Sequence, residues 1–243
     1  MDVPGAIEEL ADELIAATGV HAVVVGGSRA IGEERASSDW DIGVYYRGEI
    51  DLDPLSARGE VHSPGRWGRI MNGGSWLDLA GIRVDVLLRD LDVVEHWTNE
   101  ARYGRFAIDG LPGYIAGIPT YSLTAEASVA RVLRGSFELA TEFPDELAVG
   151  APRVWRMNRD FSLYHADMNA RRGSTIVAFG QMTRAILEEA HARCCTDRRW
   201  VLNEKHLVRA ARLEGAADLL HDATDNEQLA ASLTELRALL EQG

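Results

Sequence analysis

The sequence predicts an α+β protein, in which a strand-rich N-terminal half precedes a helical C-terminal half. Short apolar runs with period-two alternation, separated by glycine-rich turns, occupy most of residues 20–90. Beyond Ser122, apolar residues instead recur at helical spacing in several successive segments. We therefore expect two domains, residues 1–121 and residues 122–243, the second being a helical bundle.

The overall composition limits the possible partners. The chain has 243 residues, of which 46% are hydrophobic, and a formal net charge of −13. An acidic field repels phosphate backbones and attracts cations, so a nucleic-acid partner is not expected and a cationic partner is favoured, unless the charge serves solubility alone. The sequence shows no membrane-length apolar stretch and no signal-peptide pattern, so we expect a cytoplasmic protein without a membrane partner. It predicts no oligomeric state.

The first elements in the chain are a helix, a strand and a glycine turn. Residues 4–18 have apolar side chains at helical spacing and predict an amphipathic helix that packs on a sheet. Residues 22–25 predict a buried strand, because they are small or β-branched and are followed by glycines. Backbone amides around Gly27 and the Ser28 hydroxyl can converge on phosphate oxygens in such a turn. A Gly-Gly-Ser sequence is also common as a plain turn.

The loop after this turn has the glycine spacing of a P-loop, but it is not one. Glu33 and Glu34 stand where that motif requires lysine and a hydroxyl residue. Arg29 and Arg35 are candidates for phosphate contacts, and the alternative is that they are ordinary surface residues.

The next strand carries a pair of acids. Asp39 and Asp41 are two residues apart, so on a strand both carboxylates share one face, while Trp40, Ile42 and Val44 share the other. Neighbouring carboxylates repel, and the hard ion Mg²⁺ would relieve that repulsion. The alternative is a solvated strand end that happens to carry two acids.

A third acid lies in a later strand, residues 81–90. Asp85 is placed opposite the apolar face of this strand, on the same face as Arg83 and Arg89. It is therefore either a further metal ligand or the partner of one of these arginines.

Together, the G-G-S turn, the D-x-D strand and the V-D-V strand resemble the polymerase β type nucleotidyltransferase superfamily, especially small bacterial members related to kanamycin nucleotidyltransferase. The resemblance covers roughly residues 20–90. It implies an N-terminal nucleotidyltransferase-type mixed β-sheet with helices on one side. It also implies that Asp39, Asp41 and Asp85 are catalytic and bind two Mg²⁺ ions, with Mn²⁺ as an alternative, and that Gly27 and Ser28 bind the triphosphate of an NTP co-substrate.

Such enzymes transfer a nucleoside monophosphate to an acceptor hydroxyl and release pyrophosphate. Two ions about 4 Å apart can activate the hydroxyl and neutralise the charge that develops on phosphate oxygens. Asp39 and Asp41 are then bridging ligands, and Asp85 is also the candidate to take the hydroxyl proton.

Between these motifs and residue 121, the sequence predicts a short helix near residues 52–57, a helix over residues 91–100 and irregular structure over residues 103–121. The run from Trp67 to Trp76 has three interpretations. The indoles could stack a base, line an acceptor pocket, or cover the edge of the core.

The C-terminal half predicts a bundle of helices whose apolar stripes pack into a core. The stripes are Leu123, Ala127, Ala130, Leu133 and Phe137; Val154, Met157, Phe161, Tyr164 and Met168; Ile176, Phe179, Thr183, Ile186 and Ala190; and Leu229, Leu233, Leu236 and Leu240.

By the same resemblance, the segment Asn203-Glu204-Lys205 is a candidate part of the site. Lys205 would contact the triphosphate, and Glu204 or Glu126 would be the general base for the acceptor. A helix-capping cluster is the alternative.

The functional prediction is transfer of a nucleotide, AMP from ATP in the first instance, to a hydroxyl of a small and cationic acceptor such as an aminoglycoside, which would be an antibiotic-resistance activity. Modification of a protein or tRNA, and nucleotide sensing without turnover, are the alternatives. The sequence does not identify the acceptor or the preferred NTP.

Overall fold

The computed structural model describes residues 2–35, 37–222 and 226–241. Its helices are α1 Gly5–Ala16, α2 Gly27–Ile31, α3 Asp53–Ser56, α4 Gly68–Met71, α5 Leu91–Arg102, α6 Ser122–Val129, α7 Asp145–Arg171, α8 Thr175–Thr196, α9 Leu207–Ala210, α10 Ala216–Asp222 and α11 Asn226–Glu241. Its strands are β1 Val20–Val25, β2 Trp40–Tyr46, β3 Val61–His62, β4 Gly73–Leu79, β5 Ile82–Asp90, β6 Ile108–Asp109, β7 Ile118–Pro119 and β8 Arg131–Gly135. None of the helices in these ranges is both long and apolar enough to cross a membrane.

The chain divides into two compact units. The first, the sheet unit, spans Met1–Asn99 and Leu123–Glu142, and the second, the helical unit, spans Glu100–Ser122 and Phe143–Gly243. A single boundary at residue 121 was expected from the change in sequence pattern. The observed units differ from it because each of them takes one short segment from the other side of that position.

The sheet unit contains a mixed sheet, and the predicted α+β class is confirmed. In the described residues, its strands lie in the order β3-β4-β5-β2-β1-β8. Strands β2 and β5 are parallel, whereas the other neighbouring pairs are antiparallel. One face of the sheet is apolar and packs against α1 and α3, as the alternating sequence predicted. Its core residues include Ile7, Leu10, Leu14, Val23, Val25, Ile42, Val44, Leu55, Val84, Val86 and Leu88.

The helix expected over Leu123 to Phe137 is only partly correct. Helix α6 ends at Val129, and the chain then forms strand β8, which pairs with β1. Leu133 packs against the core of the sheet, and the Phe137 ring stacks on Tyr45 with centroids 4.3 Å apart. Leu133 and Phe137, whose spacing suggests a longer helix, are therefore partly buried against the sheet instead.

The helical unit is built around the long antiparallel helices α7 and α8. Its core contains a line of polar contacts in which Trp155 Nε1 donates to the Tyr121 hydroxyl at 2.9 Å and this hydroxyl lies 3.4 Å from Cys195 Sγ. The His191 ring stacks on Trp155, and burial lowers the pKa of this histidine to about 3. The leucine stripe of α11 is buried as predicted.

The predicted core stripe of α7 is wrong. Met157, Phe161 and Tyr164 are more than half exposed, with Phe161 at 64%. The buried side of α7 consists mainly of small residues with Trp155 and Leu163. Small residues on the buried side allow the neighbouring helices to pack closely. A prediction that considers only large apolar residues therefore identifies the exposed side of α7 as the core side.

A buried carboxylate joins three helices of this unit. Glu189 on α8 is fully buried and lies 2.7 Å from Arg159, 3.2 Å from Arg193 and 3.4 Å from Arg156. Arg159 also donates to the carbonyl oxygen of Leu240 at the end of α11. Asp160, which also pairs with Arg159, is exposed, so removal of the Glu189 carboxylate would leave buried guanidinium charge without its buried counter-charge.

We therefore predict that Glu189→Ala lowers the free energy of unfolding by about 3–5 kcal/mol, measured by urea denaturation. The matched control is Asp167→Ala, which removes an exposed ion pair with Arg171 on α7 and should leave the midpoint almost unchanged. Equal midpoints for the two variants would contradict this role of Glu189.

Candidate functional site

The turn after β1 lies directly against Asp41. Gly26 N donates to the carbonyl oxygen of Asp41 at 2.8 Å, and α2 begins at Gly27. Gly27 has φ +58°, and a Cβ atom on it would stand 1.8 Å from Asp41 Oδ2. A side chain is therefore excluded by both conformation and space, and the close approach places the Gly27-Ser28 backbone beside a carboxylate.

Asp41 and Asp85 face each other on neighbouring strands. Strands β2 and β5 are parallel, and their register pairs Asp41 with Asp85. Paired residues point to the same side of a sheet, and neighbouring strands are about 4.8 Å apart. Both side chains are half-buried on the face opposite the apolar core, which we call the polar face. The strand register thus places both charges on this face.

Asp39, the third predicted acid, is held by an arginine. Arg83 Nε lies 2.7 Å from Asp39 Oδ1, and Arg83 also donates to the carbonyl oxygen of Ser37 at 2.8 Å. Asp39 Oδ1 is closed to solvent and accepts no well-aligned hydrogen bond within the described residues, although it is within ion-pair distance of Arg83. The sequence offers Arg83 as one possible partner of Asp85, and the structure pairs Arg83 with Asp39.

The structure does not bring the three acids together into a metal-binding cluster. In the described parts of the chain, no three His, Cys, Asp or Glu side chains are arranged to hold one ion. The Asp41 and Asp85 pair does fit a divalent cation, because both present hard oxygen donors from adjacent strands. Asp39 could join them only after it exchanges Arg83 for the ion.

Arg29 fastens the segment that carries Asp39. Its guanidinium donates to the carbonyl oxygens of Ser38, at 2.6 Å, and Asp39, at 3.1 Å. It also lies over the Trp40 ring, 4.5 Å from the centroid. These contacts give Arg29 a structural role that the sequence did not reveal, and its predicted contact with phosphate stays a prediction.

Glu126, one candidate base, is bound by a buried arginine of the sheet unit. Its two carboxylate oxygens accept hydrogen bonds from Arg89 at 2.7 and 3.1 Å. Arg89 pairs in register with Tyr45, and burial raises the pKa of Tyr45 well above its usual value. Asp85 and Arg89 are four residues apart on β5, which corresponds to about 13 Å. The structure therefore places Glu126 in an ion pair with Arg89, and its role as a general base stays a prediction.

Glu204 and Lys205 lie in the helical unit. The Glu204 carboxylate accepts hydrogen bonds from the backbone N–H groups of Ile115 and Ala116, both at 2.8 Å, and so fixes a loop. Lys205 is exposed, and its backbone N–H donates to Asn203 Oδ1 at 2.9 Å. These contacts hold a turn and a loop, and neither caps α9, whose N-cap His206 has no side-chain hydrogen bond to the helix. A catalytic role for either residue stays a prediction.

Comparisons with known proteins give little family information. No protein-family model matches the chain, and no curated protein matches it. Among solved structures, it is similar to a nucleotidyltransferase-like protein from Exiguobacterium sibiricum 255-15, with 14% sequence identity and a TM-score of 0.49. That alignment covers 97% of this chain and 74% of the other.

We predict that Gly27→Ala lowers the free energy of unfolding by about 1–3 kcal/mol. Alanine is strained at the positive φ of this position, and its methyl group must also displace the Asp41 carboxylate. Denaturation midpoints measure this. Gly26→Ala is the matched control, since its Cβ atom would be 3.9 Å from Asp41, an ordinary contact. Gly32 has φ +75°, and a Cβ atom on it would have nothing within 4 Å, so Gly32→Ala measures the stability cost of the backbone conformation alone. If Gly27→Ala is no worse than Gly32→Ala, the close approach to Asp41 is not a constraint.

Proposed function

We propose that the protein is a nucleotidyltransferase of the polymerase β type, which transfers a nucleoside monophosphate from an NTP, ATP in the first instance, to a hydroxyl of a small acceptor. One observation supports this above the others. Two carboxylates are paired across parallel strands, and one of them, Asp41, lies against a glycine turn whose next residue is a serine. This combination provides oxygen ligands for a divalent ion beside amides and a hydroxyl suited to phosphate.

In this proposal, Asp41 and Asp85 hold Mg²⁺ or Mn²⁺, and Asp39 completes the ligand set. The bound ions would neutralise charge on the phosphate oxygens. Gly27 and Ser28 bind the triphosphate through backbone N–H groups and the hydroxyl. The acceptor oxygen forms a bond to the α-phosphorus, the bond from that phosphorus to the bridging oxygen breaks, and pyrophosphate leaves. Asp85, which holds the ion, also takes the hydroxyl proton.

The acidic surface of the protein supports a cationic acceptor over a polyanionic one. The net charge is −13, and the polar face carries Asp41 and Asp85 close together. Such a field attracts small cations and repels nucleic-acid backbones. An aminoglycoside is one acceptor of this kind.

We predict that Asp41→Asn and Asp85→Asn each reduce pyrophosphate release by about 100-fold or more while the protein stays folded. The assay contains Mg²⁺, each NTP in turn, and a panel of aminoglycosides and lincosamides, with product mass as a second measurement. Asp78→Asn is the control, because Asp78 also lies on a sheet strand but its Oδ1 accepts a hydrogen bond from Gly81 N that asparagine preserves.

Wild-type rates in the Asp41 or Asp85 variants would refute the proposed site. Pyrophosphate release only with a protein or tRNA acceptor would point to macromolecular modification, and NTP binding without release would point to a sensor.

A second prediction concerns the ion pair that holds Asp39. Arg83→Met should lower the Mg²⁺ concentration for half-maximal activity by about 2–5-fold, because an exposed ion pair is worth up to about 1 kcal/mol. In an Asp39→Asn background the same change should have no effect on that concentration. An equal effect in both backgrounds would show that Arg83 does not act through Asp39.

A further inference from the structure

Three rings of the sheet unit form an exposed aromatic cluster, which we call the aromatic platform. It consists of His62 on β3, Trp67 in the following loop and Trp76 on β4. The ring centroids of Trp67 and Trp76 are 4.8 Å apart, and those of His62 lie 4.9 Å from Trp67 and 5.3 Å from Trp76. His62 and Trp67 are half-buried, whereas Trp76 is 62% exposed. One interpretation of the sequence is that these indoles cover the edge of the core, and the exposure of Trp76 does not agree with it.

The surrounding backbone holds these rings in place. Gly74 makes room for Trp67, since a Cβ atom on Gly74 would lie 2.9 Å from Trp67 Cζ3. Buried Asn72 donates to the Tyr46 hydroxyl at 2.8 Å, and its side-chain oxygen accepts from Gly65 N. Its backbone oxygen accepts from Trp67 N at 2.9 Å. The loop that carries Trp67 is therefore fastened to the sheet, and the exposed indole of Trp76 rests on a fixed support.

The platform lies next to the acid pair on the same side of the sheet. The antiparallel register of β4 and β5 pairs Trp76 with Asp85, and the parallel register of β5 and β2 pairs Asp85 with Asp41. Paired residues share a face, so the order along the polar face is indole, carboxylate, carboxylate. The backbones of Trp76 and Asp85 are therefore one strand spacing, about 5 Å, apart.

The direction of phosphoryl transfer determines whether the aromatic platform would bind the acceptor or the NTP. Strand order places β4 on one side of the Asp85 and Asp41 pair and β1, with the Gly27-Ser28 turn that follows it, on the other. The attacking and leaving oxygens must lie roughly in line at the phosphorus. With the triphosphate on the turn, pyrophosphate leaves on the β1 side, so the attacking hydroxyl comes from the side of Trp76.

We propose that the aromatic platform is the acceptor subsite and that it binds a ring with an apolar face, stacked on Trp76, whose hydroxyl points towards Asp85. The assignment rests on the proposed nucleotidyl transfer. Indoles present a large flat apolar surface to such rings, whether these are aromatic or are sugars with their C–H groups on one face. A nucleobase has the same stacking chemistry, but the in-line requirement places it elsewhere.

The test measures binding at Trp76 separately from turnover. The fluorescence of Trp76 is obtained by subtracting the emission of the Trp76→Phe variant from that of the wild-type protein. The quenching of this difference signal by acrylamide is then measured. The probes are kanamycin A, lincomycin, phenyl β-D-glucoside and MgATP, each added alone. We expect at least one of the three glycosides to protect Trp76 from acrylamide, and MgATP to leave the quenching unchanged.

Calorimetry with the protective glycoside then compares three variants. Trp76→Ala should weaken glycoside binding by about 10-fold, while Trp76→Phe, which keeps a stacking ring, should stay within about 3-fold of the wild type. Tyr103→Ala is the matched control, because Tyr103 is 60% exposed and lies in the helical unit. In the pyrophosphate assay, Trp76→Ala should raise KM for the acceptor and leave KM for ATP unchanged.

Each outcome separates this inference from the proposed function. The acceptor subsite is overturned, even if transfer is observed, when MgATP is the only probe that protects Trp76 or when none of the glycosides protects it. Equal effects of Trp76→Ala and Tyr103→Ala on glycoside binding overturn it as well. Glycoside protection without pyrophosphate release under any condition supports a ring-binding site and refutes the transferase.

Discussion

The candidate site depends on the parallel pairing of β2 with β5. This pairing sets Asp41 opposite Asp85, and the antiparallel neighbours of the two strands extend the same polar face to Trp76 on one side and to the Gly27 turn on the other. A shift of one residue in the β2–β5 register would turn one of these acids into the apolar core. Burial of Ile42, Val84 and Val86 on the opposite face therefore also fixes the positions of the charges.

Within this frame, the sequence predicts the parts of the site that follow from strand alternation. Asp41 and Asp85 were placed on polar strand faces by their apolar neighbours alone, and the glycine pair marked the turn. Contacts between segments distant in sequence could not be predicted in this way. Arg83 lies two residues before Asp85 on the same strand, yet it pairs with Asp39, because the segment 37–39 comes to lie beside β5.

The errors have a common physical cause. Helical spacing of large apolar residues does not by itself identify the buried side of a helix. In α7, the closely packed side contains alanines and Trp155, and the larger residues at Met157 and Phe161 face solvent. In the segment after α6, Leu133 and Phe137 pack on the sheet, so the chain leaves the helix to supply an edge strand. In both places tertiary packing overrides the local pattern.

The ion pair of Asp39 with Arg83 places a guanidinium charge beside the acid-rich face. Asp39 is two residues from Asp41, and Asp41 is paired with Asp85 on the next strand, so neighbouring carboxylates repel. A guanidinium beside Asp39 offsets part of that repulsion. Arg83 is 64% exposed, so the pair is weak and costs little to break. Arg29 meanwhile holds the Asp39 backbone through two carbonyl oxygens, independently of where the carboxylate points. The backbone is thus fixed independently of the carboxylate. Under the proposed function, the Asp39 side chain would exchange Arg83 for a metal ion without moving the chain that carries it.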